Sequence, residues 1–176
     1  MDAYRIDPQT LSIGLLVGRV VIGLLMAAHG AQKLFGWFGG HGLHGTGEFM
    51  VQLGFRPGRV FAAAAGLGEV AGGLLVALGF LGPVGPALLI AVMVVAMLTV
   101  HWHNGVFAMR NGVELPLLYA IAAVVFAVVG YGRFSLDEAL GIASLWPATL
   151  TWVAIGVGIV GGFANAAMRH RTTPPV

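Results

Sequence analysis

Five long apolar stretches restrict this chain to very few folds. A helix that crosses the apolar core of a bilayer, about 30 Å thick, needs roughly 20 predominantly apolar residues. Stretches of that kind run from about 11 to 35, 60 to 81, 83 to 102, 115 to 132 and 147 to 168. Only 9% of the residues are charged, against about 25% in a typical soluble protein. We therefore expect an all-α integral membrane protein.

Turn signals between the stretches indicate how the helices are connected. Gly82–Pro86 contains two glycines and two prolines, which favours a tight turn between antiparallel neighbours. Ser135, followed three residues later by Glu138, is the pattern of an N-capped short helix, which we expect along the membrane surface. The sequence predicts a four-helix antiparallel transmembrane bundle in residues 1–140. Residues 141–176 would add a fifth transmembrane helix, packed on the outside, and a short polar tail.

Glycines four residues apart recur within the apolar stretches. Small residues at this spacing let helix backbones approach closely in lipid. We interpret these pairs as helix-packing faces: Gly14 and Gly18, Gly68 and Gly72, and Gly158 and Gly162.

The distribution of lysine and arginine predicts the orientation. Arg5 and Arg133 flank one side of the predicted bundle. Because cytoplasmic loops carry the excess of positive charge, the more basic side should be cytoplasmic, together with the C-terminus of a multi-pass plasma-membrane protein. The residues on that side are Lys33, Arg56, Arg59, Arg110, Arg169 and Arg171.

Two opposite charges lie deep within the apolar stretches. Arg19 and Glu69 come to similar depths if their helices are antiparallel and start at the membrane surface. A charge in the membrane interior is costly and usually has a partner, so we expect an Arg19–Glu69 ion pair. Such a pair can fix the register of two helices or take part in chemistry, and the sequence leaves both open.

Further polar residues converge on the predicted cytoplasmic face. At about 100° per residue, Arg19, His29 and Lys33 fall within an arc of about 80° on the first helix. The next helices bring more polar groups to the same end. The candidate ligand-binding residues are His29, Lys33, Glu69, His101, His103, Asn104, Glu114 and Tyr119. Individual histidines there could also be interfacial side chains with no shared pocket.

A lipophilic redox molecule such as a quinone would suit this cluster, because its carbonyls need an apolar slot and one or two hydrogen-bonding partners. Histidine can donate such a bond and exchange a proton near neutral pH. A metal site is less favoured, because His101 and His103 point about 160° apart on a helix. The residues identify no cofactor, and we expect no metal ligands.

Three segments make the chain similar to the DoxX family. They are "GRVVIGLLMAAHGAQKLFGWFGG" (Gly18–Gly40), "GLGEVAGGLLVALGFL" (Gly66–Leu81) and "HWHNGVFAMRNGVELPLLY" (His101–Tyr119). In the third, Val106 and Val113 replace two aromatic residues of the family pattern. The resemblance covers about residues 11 to 140 and does not include the last helix.

The resemblance implies a four-helix membrane bundle associated with bacterial respiratory or redox complexes, including sulfur-compound:quinone oxidoreductases, and with oxidative-stress assemblies. The positions that match the polar positions of the family are Arg19, His29, Lys33, Glu69, Asn104, Gly105 and Glu114. Since the activities of the family members are mostly undefined, the resemblance does not make this chain an enzyme. At most it is one subunit of a membrane oxidoreductase.

Three functions therefore stay open. The first is a membrane subunit that binds quinone for a redox partner. The second is a non-catalytic scaffold that docks redox or stress proteins. The third is a transporter of small solutes or metal ions. The chain has no cysteine, which excludes thiol chemistry and disulfides. The candidate partners are the lipid bilayer, redox proteins and a second copy of the chain. A nucleic acid is not expected, because no basic block is present.

Overall fold

The computed structural model describes residues 7–170, and this range is helical with no β-strand. Arg5 and residues 171–176, which hold most of the predicted polar tail, lie outside the described residues. The helices are α1 (Pro8–Phe35), α2 (Gly42–Gln52), α3 (Gly58–Leu78), α4 (Val84–Ala96), α5 (Glu114–Val129), α6 (Leu136–Ala139) and α7 (Ala148–Ala167). A π-helical turn (Met97–His101) and a 3-10 turn (Trp102–Asn104) prolong α4.

Four helices are long and apolar enough to cross a membrane: α1, α3, α4 with its extension to Asn104, and α7. This confirms the predicted all-α membrane architecture. The stretch predicted at 115–132 forms α5, which is apolar but has only 16 residues. At 1.5 Å per residue α5 is about 24 Å long, which is shorter than a typical bilayer core.

The most extensive contact between two helices of the bundle is the antiparallel one of α1 with α3. A Cβ atom added to Gly23 would lie 2.4 Å from the carbonyl oxygen of Gly73, and one added to Gly30 would lie 2.5 Å from that of Gly66. The two backbones therefore touch at two levels that are seven residues apart on each helix. This contact fixes which residues of α1 lie level with which residues of α3.

Glycine contacts also hold α7 against α4. Cβ atoms added to Gly158 and Gly162 would lie 2.6 Å and 2.8 Å from the carbonyl oxygens of Ala87 and Ala91. These two glycines thus form the expected packing face, and α7 lies along one side of the bundle. By contrast, a Cβ at Gly14 would meet nothing within 4 Å, so the glycine spacing alone did not identify the α1 packing face.

The connection between α1 and α3, where the sequence predicts no transmembrane helix, contains the helix α2. Thr46 in α2 donates a hydrogen bond to the carbonyl of Lys33 (3.3 Å). A Cβ added to Gly58 would lie 2.1 Å from the carbonyl oxygen of Gly47, so α2 also meets the start of α3 closely. We call this end of the bundle, with the last residues of α4 and α7, the Lys33 end.

The opposite end, named the Tyr131 end, is held by side chains of the segment between α5 and α7. The Asp137 carboxylate accepts hydrogen bonds from the backbone N–H of Leu81 (2.8 Å) and Gly82 (2.7 Å). The Tyr131 hydroxyl donates to the Gly82 carbonyl (2.7 Å), and burial raises the pKa of Tyr131, which keeps it a neutral donor. Ser135 accepts from the N–H of Glu138 (3.2 Å), which confirms the predicted N-cap.

The glycine contact leads to a stability prediction. We expect Gly23→Ala to lower the free energy of unfolding by about 1–3 kcal/mol, because the new methyl group collides with the backbone of α3. Gly14→Ala, on the same helix, should leave stability unchanged, since a Cβ there meets no atom within 4 Å. Thermal unfolding in detergent, followed by the loss of helical circular dichroism, measures both variants. Equal stabilities would contradict the assigned contact.

Candidate functional site

The membrane-buried carboxylate of Glu69 is paired with Lys33. The Lys33 ammonium nitrogen lies 2.5 Å from both carboxylate oxygens of Glu69. The side chain of Glu69 is 3% exposed and that of Lys33 is 27% exposed. The pair therefore connects a buried charge on α3 to a partly accessible one near the end of α1.

The direction of helical side chains explains why these two residues meet. Helical side chains lean toward the N-terminus of their own helix. In the antiparallel α1–α3 pair, Lys33 consequently leans inward from the membrane surface, while Glu69 leans toward the Lys33 end. The two long side chains approach each other and bridge the difference in depth between their Cα atoms.

Arg19 has other partners than the expected one. Its guanidinium donates hydrogen bonds to the carbonyls of Ala77 and Phe134, and the side chain is 1% exposed. The expected Arg19–Glu69 pair is therefore not formed in this structure. In the register set by the glycine contacts, Arg19 lies level with Ala77, eight residues from Glu69, which is about 12 Å along the helix. Their side chains also lean in opposite directions, so the depths estimated from the helix ends were misleading.

The role of Arg19 here is to complete the end of α3. The last carbonyls of a helix have no partner within it, and a cation near them is favourable. Ala77 is next to last in α3, and its carbonyl receives this bond. Because Phe134 precedes α6, Arg19 also joins α1 to the segment at the Tyr131 end.

His29 and Tyr119 lie together where α1 faces α5. Their ring centroids are 5.9 Å apart in an edge-on arrangement. The His29 Nδ1 atom lies 2.8 Å from the Leu25 carbonyl, and since a carbonyl only accepts, Nδ1 must be the donor. The neutral ring then presents Nε2 as an acceptor. His29 is exposed on the bundle surface, and Lys33 follows one helical turn later.

A second set of predicted residues organises the loop between α4 and α5. The His101 Nδ1 atom lies 2.8 Å from the carbonyl of Asn111, and the Asn104 amide donates to the same carbonyl at 3.2 Å. Glu114 accepts a hydrogen bond from the N–H of Ala108 (2.7 Å). These side chains bind the backbone of their own loop, so their observed role is to shape it.

His103 lies in the same loop and is exposed. Within residues 7–170, no group of three or more histidine, aspartate or glutamate side chains could hold a metal ion. The eight predicted residues thus fall into a loop set and a membrane set. We call the membrane set of His29, Lys33, Glu69 and Tyr119 the lipid-facing cluster.

The candidate ligand-binding residues did not include Asn111, whose carbonyl receives two side chains of the loop set. Asn111 adopts a left-handed conformation (φ 59°). An available signal was the Asn111–Gly112 dipeptide, since such dipeptides mark turns.

Comparison with known proteins gives one positive result. The sequence model of the DoxX family matches residues 14–102, just over half of the chain. The matched segment runs from α1 to the end of the π-helical turn and includes Arg19, Lys33 and Glu69. Tyr119 lies beyond it, so the resemblance traced to residue 140 extends past the match. Searches of curated proteins and of solved structures found no match.

The Lys33–Glu69 contact can be tested by double-mutant cycles. We expect Lys33→Gln to destabilise the protein by about 3 kcal/mol, because it leaves a buried carboxylate without a cation. Combined with Glu69→Gln, it should show a coupling energy of at least about 1 kcal/mol. The matched control pairs Arg19→Gln with Glu69→Gln, whose effects should add. Unfolding in denaturing detergent measures all variants, and coupling in the control cycle alone would show that the pairing is misassigned.

Proposed function

We propose that this chain, which belongs to the DoxX family, is a membrane subunit of a redox-associated complex and binds a quinone or similar lipophilic redox molecule at the lipid-facing cluster. Its membership rests on the family match, and the four long apolar helices make it a multi-pass membrane protein. The bound molecule, the redox partner and the position of the site are the proposal.

The observation that carries this proposal is the placement of His29 beside Tyr119 at the surface of the α1–α5 contact. The Tyr119 hydroxyl can donate a hydrogen bond to a quinone carbonyl. The Nε2 atom of His29 can accept one from a hydroxyl of the reduced form. A flat apolar ring entering sideways from the bilayer would thus meet complementary groups in both oxidation states.

The Lys33–Glu69 pair adds a second property to this location. Lys33 follows His29 by one helical turn on α1, and its ammonium is partly exposed. Reduction of a quinone consumes protons as well as electrons, so an acidic and a basic side chain close to the ring suit that reaction. In this proposal the electrons come from a partner protein.

The non-catalytic scaffold is the second candidate, and one observation favours it. Large aromatic side chains are exposed beside α2, with Trp37 60% and Phe38 70% exposed. They suit either a membrane interface or contact with a docked protein. Under this alternative the polar groups only hold the helices and the loop in place.

Binding of a quinone analogue separates these candidates. Wild-type protein in lipid nanodiscs should bind the analogue. Tyr119→Phe should weaken binding of the quinone analogue, and His29→Ala should weaken binding of its hydroquinone form, each roughly five- to tenfold, the effect of losing one net hydrogen bond. His103→Ala is the matched control, since it removes an exposed imidazole from the loop set and should bind as wild type. Equal binding by all variants, or none by wild type, would leave the scaffold as the better account.

We also propose that the Lys33 end faces the cytoplasm. In the described residues this end carries Lys33, Arg56, Arg59, Arg110 and Arg169, whereas Arg133 is the one basic residue near the surface at the Tyr131 end. Positive charge is enriched on the cytoplasmic side of membrane proteins. The C-terminus would then be cytoplasmic.

Because the chain has no cysteine, single introduced thiols test this orientation without background. In intact cells, an impermeant maleimide should label Arg133→Cys. It should label Arg110→Cys only after the membrane is permeabilised. The reverse pattern would show that the orientation is inverted.

A further inference from the structure

An apolar groove opens on the side of the bundle away from the α1–α5 contact. It lies among α2, α3, α4 and α7 near the Lys33 end and has a volume of about 180 Å³. Its lining is apolar apart from one amide, and includes Met50, Phe55, Phe61, Ala65, Val95 and Asn165. Ala64 and Gly161, on the α3 and α7 walls, are exposed, so the groove opens sideways into the bilayer.

Two arginines lie next to the turn that carries Phe55, which lines this groove. Arg56 directly follows Phe55, which lines it. Arg169 follows the end of α7, where the N–H of His170 donates to the Gly54 carbonyl (2.9 Å). That bond fastens the end of α7 to the turn that carries Phe55 and Arg56. In residues 7–170, neither arginine has a carboxylate within 4.0 Å, because the ion pairs found there are Lys33–Glu69 and His44–Glu48.

We propose that the groove binds an anionic phospholipid from the leaflet at the Lys33 end. An acyl chain lies along the apolar walls, and the lipid phosphate lies between Arg56 and Arg169, since guanidinium groups match phosphate oxygens in shape and charge. The Asn165 amide donates to an ester carbonyl. The ammonium of a zwitterionic headgroup would need a carboxylate nearby, and no carboxylate of residues 7–170 lies within 4.0 Å of either arginine. The site therefore selects a headgroup with a net negative charge.

The ligand class follows from the combination of these parts. The apolar groove alone would accept any chain, and two surface arginines alone would attract any anion. Together at one opening they require a molecule with both a long hydrocarbon chain and an anionic phosphate. Basic sites between helices near a membrane surface bind anionic lipid headgroups for the same reason.

Native mass spectrometry of the full-length protein measures this selectivity. Detergent-solubilised protein is titrated with phosphatidylglycerol or with phosphatidylcholine of identical chains, and lipid adducts are counted. We expect wild type to prefer phosphatidylglycerol, by about fivefold for each arginine involved. The Arg56→Gln/Arg169→Gln variant should lose that preference. Arg110→Gln, which changes the same charge at the same end but on the α4–α5 loop, should keep it.

Two further measurements test whether the lipid lies in the groove and whether the bound phosphate comes from a lipid. Gly161→Phe should fill the groove and reduce the retention of both lipids, whereas Gly156→Phe, on the same helix but outside the groove, should not. A Cβ at either glycine meets nothing within 4 Å, so both variants should fold. Inorganic phosphate should not displace phosphatidylglycerol. Any one of four results would overturn the proposal. Wild type retains the two lipids equally, or the double arginine variant keeps the preference. Alternatively, Gly161→Phe retains as much lipid as wild type, or inorganic phosphate displaces phosphatidylglycerol.

Discussion

The backbone contact between α1 and α3 determines where Arg19, Lys33 and Glu69 lie relative to one another. Gly23 against Gly73 and Gly30 against Gly66 leave no room for side chains between the helices. In lipid, where helices gain no hydrophobic free energy by associating, such close packing is a main source of attraction. It also fixes the register, which places Lys33 within reach of Glu69 and Arg19 within reach of the end of α3.

Within that register, Arg19 and Glu69, the charged residues buried in α1 and α3, serve different ends of the molecule. Glu69 is neutralised by Lys33, which approaches from the Lys33 end and is itself partly exposed. Arg19 is held by carbonyl oxygens and is sealed by the segment before α6. The first arrangement suits a group that exchanges protons or meets a ligand. The second suits a structural clamp.

The helical architecture was predictable because the length and apolarity of a segment decide whether it can cross a membrane. Helix direction predicts that the candidate residues lie at the Lys33 end, but the structure divides them into the loop set and the lipid-facing cluster. The pairing of Glu69 was not, because it depends on a register set by glycines seven residues apart and on the lean of each side chain. The helix α2 escaped prediction because its sequence, with three glycines in eleven residues, resembles a loop, and its position depends on contacts with α1 and α3. The shaping role of His101, Asn104 and Glu114 depends on backbone groups of their own loop, which residue types alone do not reveal.

The partners of Arg19 also have a consequence for biosynthesis. The guanidinium of Arg19 is bound by carbonyls that follow it by 58 and 115 residues in the chain, so neither exists when α1 leaves the ribosome. A lone arginine in the bilayer interior is unfavourable, so we expect α1 to reach its full stability in the membrane only once α3 lies beside it. The second hydrogen bond of Arg19 can form only after the chain has been made as far as Phe134. Insertion of this protein is thus expected to proceed by helical hairpins, with the final closure delayed until most of the chain has emerged.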